Sequence, residues 1–241
     1  WALTTIYPFV WVLLNSFKER RLIRTDSFSI PFGEAFTLDN YKLTFDRFQI
    51  FSAYKNSLII SISVTIVVVI LAGLAAYALA RYQFRGKGFL QAVILASMMF
   101  PVFSTIIPVF RMMNGWGIVN TDSTGLSLLS VILPQIAGNL SFSIIVLKGF
   151  MQSLPIDLEE AAYLEGCSVF GIFFRVILPM ARPSFATVAI FSFLWSYNDL
   201  FTQLFFLRRK EAYSITLLLN DVNSQAGVNY GLLAAAVVLV V

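Results

Sequence analysis

Long uncharged apolar runs limit the folds that this chain can adopt. A helix needs roughly 20 apolar residues to cross the hydrocarbon core of a bilayer. Lipid offers no hydrogen bonds to the backbone, and these runs lack the alternation and shortness of barrel strands. We therefore predict an all-α polytopic membrane protein with about six transmembrane helices. The runs are 1–17, 57–80, 89–110, 125–147, 183–206 (interrupted only by Asp199) and 222–241.

The composition supports a lipid-facing surface. Only 12% of the 241 residues are charged, and 58% are hydrophobic, whereas soluble domains carry about 25% charged residues. The net charge of +4 does not indicate nucleic-acid binding, because the basic residues are scattered through short loops. The first and last apolar runs end abruptly with the chain, so we expect a single domain over 1–241 that is truncated at both ends.

The chain is poor in the side chains that perform catalysis. It has no histidine, which removes the commonest general base and metal ligand, and Cys167 is its single cysteine. The apolar runs also contain almost no carboxylates. A membrane-embedded enzyme would need such groups within its spans, so we predict a protein that is not an enzyme and has no metal site.

Two features of the runs concern helix shape and packing. Pro101 and Pro108 lie within the third run and Pro134 within the fourth, where each removes a backbone hydrogen bond and is expected to kink its helix. The small residues of "GLAAYALA", residues 73–80, favour close approach between helices.

A polar segment, residues 154–183, interrupts the apolar pattern and is here called the acidic loop. Its sequence is "LPIDLEEAAYLEGCSVFGIFFRVILPMARP". Pro155 precedes three carboxylates that suit the positive end of a helix dipole. Gly166 is then expected to end that helix in the left-handed conformation.

A second, amphipathic helix is predicted after this turn. Ser168 is placed to cap it, and Pro179 and Pro183 are expected to end it and to begin the next span. Two short helices joined by a tight turn form a projection, which is either a protein-docking element or a plain connection between spans.

The acidic loop resembles the EAA loop of membrane subunits in binding-protein-dependent ABC importers. The matching pattern is Glu160-Ala161-Ala162, three residues, Gly166, nine residues, Val176, one residue and Leu178-Pro179. The family usually has Ile at position 176 and often Asp at position 165, so this chain departs from it conservatively. Further segments resemble the carbohydrate-importer permeases, in particular the maltose-type subunit without a large extracytoplasmic domain. They include "FTLDNYKLTF", "AAYALARYQFRGKG" and "FLWSYNDLFTQLFFL".

The resemblance implies an ATPase-coupling role for the acidic loop, with a coupling helix at about 157–165. The residues that it assigns to coupling are Asp157, Glu159, Glu160, Ala161, Ala162, Glu165, Gly166, Val176, Leu178 and Pro179. It also implies two cytoplasmic ATPase subunits that carry the ATP and Mg, a second homologous permease and an extracytoplasmic sugar-binding protein. This chain would then bind no cofactor and no nucleic acid, and it would lie in a bacterial or archaeal cytoplasmic membrane.

Orientation is an implication of the resemblance and not of charge. The resemblance places the acidic loop and both termini in the cytoplasm. Yet six of the 17 basic residues lie on that side and eleven on the other, against the positive-inside rule. The basic runs 18–24 and 208–210 are interpreted as exposed, solvated loops.

Polar residues within the spans are candidates for the translocation pathway. They are Asn139, Trp195, Tyr197, Asn198 and Asp199, with Gln135 as a further candidate in the fourth run. Aromatic faces and uncharged hydrogen-bonding groups suit a sugar, either a disaccharide or an oligosaccharide. Bonds between helices and anchoring at the membrane boundary are alternative roles for them. Another solute, such as a phosphorylated polyol or an amino acid, and an ion-channel role also remain alternatives at this point.

Overall fold

The computed structural model describes residues 1–119, 121–226 and 229–240. Every regular element in these ranges is a helix or a helical turn. The described residues contain no β-sheet, so the predicted all-α class is confirmed. The α-helices are α1 Ala2–Ser16, α2 Arg20–Thr25, α3 Asp39–Arg47, α4 Ile50–Arg81, α5 Lys87–Ser97, α6 Val102–Gly115, α7 Thr124–Ser153, α8 Asp157–Leu164, α9 Val169–Ile172, α10 Leu178–Met180, α11 Arg182–Asn198, α12 Leu200–Phe206, α13 Ile215–Ala226 and α14 Tyr230–Val240. Short 3₁₀ turns occupy Gly33–Ala35 and Lys210–Ala212, and a π-helical turn occupies Phe173–Ile177.

Two helices, α4 and α7, are each long and apolar enough to cross a bilayer. The segments Val169–Met180 and Arg182–Asn198 together pass the same test, although they are bent by 81°. Shorter apolar helices are α1, α5 and α14. Two of the six predicted spans, 57–80 and 125–147, thus lie within single long helices, and the other four correspond to shorter or divided helices among the described residues.

Helix α4 shows how a largely apolar sequence is divided between the protein interior and lipid. Five residues at intervals of four form a fully buried stripe, as side chains four apart share one helix face. They are Ile60, Val64, Val68, Ala72 and Ala76. Ile62, Ile66 and Ile70 lie on exposed surface, and an uncharged apolar face of this kind suits contact with lipid.

Close helix packing in the small-residue segment is confirmed at Gly73. A Cβ atom at this position would lie 2.7 Å from Cε1 of Phe185, on α11. Phe185 is itself buried and packs against Phe173 with their ring centroids 6.5 Å apart. The contact is therefore available only to a residue without a side chain.

The third predicted span, 89–110, is not one helix. Helix α5 ends at Ser97, and α6 begins at Val102 after Pro101, which occupies the position before the helix. Proline disfavours helical geometry in the residue that precedes it and supplies no N–H group. The predicted kink at Pro101 is thus a complete break, whereas Pro108 and Pro134 lie inside helices.

The last two predicted spans are also divided. In 183–206 the break falls at Asp199, whose Oδ1 accepts a hydrogen bond from the backbone N–H of Thr202 at 3.0 Å. The run 222–241 begins within α13 and continues as α14. Positions 227, 228 and 241 of that run lie outside the described residues.

The chain divides into two compact units. One comprises residues 1–57 and 209–241, and the other comprises residues 58–208. In the first unit, α14 packs against α1, α3 and α13. In the second unit, α7 packs against α5, α11 and α12, and the acidic loop folds beside them.

One basic residue of the run 18–24 is buried in the first unit, against the prediction that this run is exposed. Lys18 is fully inaccessible, and its Nζ donates to the backbone oxygen of Asp26 at 2.9 Å. Burial lowers the pKa of Lys18, and the nearby charge of Asp26 partly opposes that effect. The prediction holds for the other basic residues of the run, since Arg20, Arg21 and Arg24 are exposed.

Replacing Gly73 by valine should destabilise the second unit, because the added side chain would overlap Phe185. We expect the free energy of unfolding to fall by about 1–3 kcal/mol, measured as a lower melting temperature in detergent. Gly149→Val is the matched control, since Gly149 lies in α7 with nothing within 4 Å of the place that a Cβ atom would occupy. Equal losses in the two variants would contradict the packing role of Gly73.

Candidate functional site

The first helix of the acidic loop ends as its sequence predicts. Helix α8 covers Asp157–Leu164, and Gly166 follows with φ of 83°. The N–H of Gly166 donates to the oxygen of Tyr163, and that of Cys167 donates to the oxygen of Ala162, both at 3.0 Å. This pair of bonds is the Schellman motif, which needs a left-handed residue at the position of Gly166.

Helix α8 has an outer face and an inner face. Asp157, Glu160, Ala161 and Leu164 are exposed and lie at the spacing of one helix face. This outer face combines two carboxylates with Leu164, which is 87% exposed. Such a mixture of charge and exposed apolar surface is typical of a site that binds another protein.

The inner face of α8 carries a buried carboxylate, Glu159. Its Oε1 lies 2.5 Å from Nε of Arg81, and its Oε2 accepts a hydrogen bond from the hydroxyl of Tyr77 at 2.9 Å. Arg81 also donates from Nη2 to the backbone oxygen of Leu154 at 3.0 Å. We call these four residues, Tyr77, Arg81, Leu154 and Glu159, the α4–α8 clasp.

The second arm of the acidic loop differs in part from its prediction. The cap at Ser168 is confirmed, because its Oγ accepts from the N–H of Gly171 at 3.2 Å. Pro179, however, lies inside α10 and does not end the helical segment, which breaks at Ala181. Pro183 lies in the first turn of α11 as predicted, because helix starts tolerate proline where the first N–H groups have no partner within the helix.

The second arm is held by a hydrophobic cluster shared with the long helices. Phe173 and Ile177 are buried in it together with residues of α4, α7 and α11. The rings of Phe173 and Tyr77 lie 5.3 Å apart between centroids. The acidic loop is therefore fixed to the helices of its unit by apolar packing as well as by the clasp.

The residues assigned to coupling occupy two environments. Exposed positions are Asp157, Glu160, Ala161, Glu165 and Gly166. Buried or half-buried positions are Glu159, Ala162, Val176, Leu178 and Pro179. Ala162, Val176 and Leu178 pack against the hydrophobic cluster. Their role in coupling stays a prediction.

A polar network connects α7 with the break between α11 and α12. Gln135 donates from Nε2 to Oδ2 of Asp199 at 2.8 Å, and its Oε1 accepts from Oγ of Ser196 at 2.6 Å. Gln203 donates from Nε2 to the backbone oxygen of Ser196 at 3.1 Å. Asp199, a predicted pathway residue, is thereby engaged in joining helices.

A cavity of about 670 Å³ lies between helices of the second unit. Trp195 lines it, and the ring of Trp195 meets that of Phe142 edge-on with centroids 4.8 Å apart. The described lining residues carry hydroxyl groups but no charged side chain. Polar or aromatic members of the lining are Ser97, Phe100, Thr105, Trp116, Phe142, Trp195, Thr202 and Phe206.

The other predicted pathway residues lie apart from this cavity lining. Asn139 is buried and donates to the backbone oxygen of Gln135 at 2.7 Å. Asn198 is exposed and donates to the backbone oxygen of Leu194 at 2.8 Å. The ring of Tyr197 stacks on Phe193 with centroids 5.7 Å apart. Their place in a pathway stays a prediction.

Sequence reasoning missed the two α4 residues of the clasp, Tyr77 and Arg81. One signal was available, because a tyrosine and an arginine four residues apart share a helix face at the end of an apolar span. Their partner Glu159 lies 78 residues beyond Arg81 along the chain, and no local pattern connects the two segments.

The comparisons with known proteins give a family, two relatives and a fold. Residues 68–241 match the family of the binding-protein-dependent transport system inner membrane component. The chain is 35% identical to the diacetylchitobiose uptake system permease protein of Streptomyces coelicolor, over 100% of this chain and 78% of that relative. It is 28% identical to the arabinooligosaccharides transport system permease protein of Halalkalibacterium halodurans, over 100% of this chain and 84% of that relative.

A solved structure has the same fold. It is a crystal structure of a bacterial ABC transporter involved in the import of the acidic polysaccharide alginate. The TM-score is 0.81 at 20% sequence identity, over 99% of this chain and 86% of the matched chain.

Replacing Gln135 by leucine should weaken the contact between α7 and the α11–α12 break. Asp199 and Ser196 both bond to the side chain of Gln135, and leucine offers neither of them a hydrogen bond. We expect the free energy of unfolding to fall by about 1–3 kcal/mol. Thermal unfolding in detergent measures the loss. Gln152→Leu is the control, because Gln152 is an exposed residue of the same helix. If both variants unfold like the parent protein, the network does not support this contact.

Proposed function

Since the chain belongs to the family of binding-protein-dependent transport system inner membrane components, we propose that it is the permease subunit of an ATP-driven importer for a neutral oligosaccharide. The role is transport by a multi-pass subunit of the inner membrane. In this proposal the acidic loop faces the cytoplasm, and the chain performs no hydrolysis itself.

The observation that carries the proposal is the construction of the acidic loop. Its outer face presents Asp157, Glu160 and Leu164 to a partner, while its base is buried among the long helices. A connection between spans needs no such exposed face on a fixed base. A surface of this kind suits a cytoplasmic ATPase subunit, which pushes on the loop when it binds ATP.

The remaining partners follow from the family. Two ATPase subunits hold the ATP and Mg, a second permease of similar fold completes the membrane pathway, and an extracytoplasmic binding protein delivers the cargo. Closure of the ATPases moves the two acidic loops together, and the membrane helices change from inward-facing to outward-facing as rigid bodies. In this scheme the chain transmits the movement of the ATPases to the membrane helices and forms part of the pathway for the sugar.

The lining of the cavity supports an uncharged cargo. Its volume of about 670 Å³ lies within the range of small-molecule sites, roughly 300–1,000 Å³. Trp116 and Trp195 offer aromatic faces, and Thr105 and Thr202 offer hydroxyl groups. Both features suit the apolar faces and hydroxyl groups of a sugar.

A phosphorylated solute or an acidic sugar is the rival cargo. Phosphate and carboxylate groups are bound best by arginine or lysine through charge-assisted hydrogen bonds. The described lining residues include neither. The names of the two relatives refer to diacetylchitobiose and arabinooligosaccharides, which are neutral saccharides in keeping with this lining.

Replacing Gly166 by valine should prevent binding of the ATPase subunit. A β-branched residue is strained at φ of 83°, so the turn after α8 is expected to change and the outer face to be misplaced. The measurement is co-purification of the ATPase with this chain in mild detergent. We expect the variant to insert into the membrane but to recover less than about a tenth of the ATPase.

Gly86→Val is the matched control for this experiment. Gly86 has φ of 88° and open space around its Cβ position, as Gly166 has, but it lies outside the acidic loop. The control should retain the ATPase. Normal ATPase recovery with Gly166→Val, or equal loss in both variants, would count against docking through α8.

Replacing Trp195 by alanine should impair transport without affecting ATPase binding. Loss of one aromatic face is expected to raise the KM for sugar uptake roughly three- to tenfold. Asn198→Ala is the comparison, because Asn198 is a predicted pathway residue that does not line the cavity. Uptake of radiolabelled oligosaccharides into proteoliposomes measures both. An unchanged KM for Trp195→Ala would remove the cavity from the pathway.

A further inference from the structure

We propose that Arg81 and Glu159 are positioning residues that transmit movement from the acidic loop to α4. This inference rests on the proposed function, because it assigns a mechanical role within the same coupling step. It concerns the α4–α8 clasp and not the outer face of α8. The clasp would make α8 and the end of α4 move as one body when the ATPase pushes on the loop.

The clasp engages both carboxylate oxygens of Glu159 and two nitrogens of Arg81. Both carboxylate oxygens of Glu159 are occupied, one by Arg81 and the other by Tyr77. Arg81 reaches a second point of the loop through its bond to the oxygen of Leu154. One side chain at the end of α4 thus holds the acidic loop both before α8 and within its first turn.

The burial of this ion pair separates it from others in the described residues. The side chains of Arg81 and Glu159 are 9% and 10% exposed. Those of Lys42 and Asp39 are 74% and 81% exposed, with their charged atoms 3.6 Å apart. Exposed pairs of that kind contribute little because solvent screens them. In the clasp, by contrast, both charged groups are largely buried and are hydrogen-bonded to protein atoms.

Stability alone is a poor explanation for a buried ion pair. Apolar side chains of similar volume often stabilise a protein equally well or better, since the desolvation of two charges offsets their attraction. Buried pairs are better suited to specifying one relative placement of two elements. Here the elements are the end of a long membrane helix and the helix that presents the outer face.

Attachment at two places prevents α8 from turning about its own axis. Ala162 on the inner face packs against the hydrophobic cluster, and Glu159 is held by the clasp one turn earlier. With the cluster contact alone, a push on the outer face would be absorbed by rotation or tilting of this short helix. With both contacts, the push displaces α4, whose buried stripe runs along its length in the second unit.

The test compares Glu159→Gln and Arg81→Gln with the parent transporter, reconstituted with its ATPase, second permease and binding protein. We expect normal ATPase binding, normal ATP turnover and an unchanged KM for sugar. Sugar imported per ATP hydrolysed should fall about tenfold. Arg85→Gln is the control, because Arg85 is an exposed arginine four residues beyond Arg81. It should leave this ratio unchanged.

Two further variants distinguish a mechanical link from a structural one. The exchange Arg81→Glu with Glu159→Arg should restore most of the ratio lost in either single exchange, since the pair is re-formed in reverse. Tyr77→Phe removes only the hydroxyl, and we expect roughly a two- to threefold fall. This mild change serves even if the glutamine variants fail to reach the membrane.

Each result bears on one proposal. A normal ratio of sugar to ATP in Glu159→Gln and Arg81→Gln would overturn the role of the clasp while leaving the importer intact. Normal transport by Arg81→Met with Glu159→Leu would also overturn that role, because packing alone would then suffice. If the parent chain bound no ATPase and imported no sugar, the proposed function itself would fail.

Discussion

Lipid offers no hydrogen bonds to a polypeptide backbone, and the structure of this chain depends on that constraint. In the described residues the apolar runs are built of helices, and side chains cap some of the helix starts. Asp199 accepts the N–H of Thr202 where α11 gives way to α12, and Ser168 accepts the N–H of Gly171 in the acidic loop. Polar side chains within the helices also form hydrogen bonds inside the protein, because lipid offers them none. Asn139 and Asn198 each donate to the backbone oxygen four residues earlier.

Other polar groups form hydrogen bonds between elements that are distant in sequence. The Gln135 network joins α7 to the α11–α12 break, and the α4–α8 clasp joins a membrane helix to the acidic loop. Both lie in poorly accessible surroundings, where an unpaired polar group is costly and a paired one fixes a unique placement. The cavity lining instead combines a few hydroxyl groups with aromatic rings.

Local chemistry makes parts of the fold and site predictable from sequence. The turn at Gly166, the cap at Ser168 and close packing at Gly73 depend on short-range geometry or on side-chain size, which the residue type expresses directly. The expectations for Pro101 and Pro179 are wrong in detail. A proline near a helix start is acceptable and one within a helix is disruptive, and the sequence does not say where each helix starts.

The sequence by itself determined that this chain is an all-α membrane protein with a short polar projection, because apolar length and backbone hydrogen bonding allow little else. It did not determine the direction of side chains on that projection. Tertiary structure decided that Glu159 points inward to Arg81 while Glu160, its neighbour, stays exposed. It also decided that Lys18 is buried beside Asp26. A charge is placed by the partners that surround it in space, and those partners are often far away along the chain.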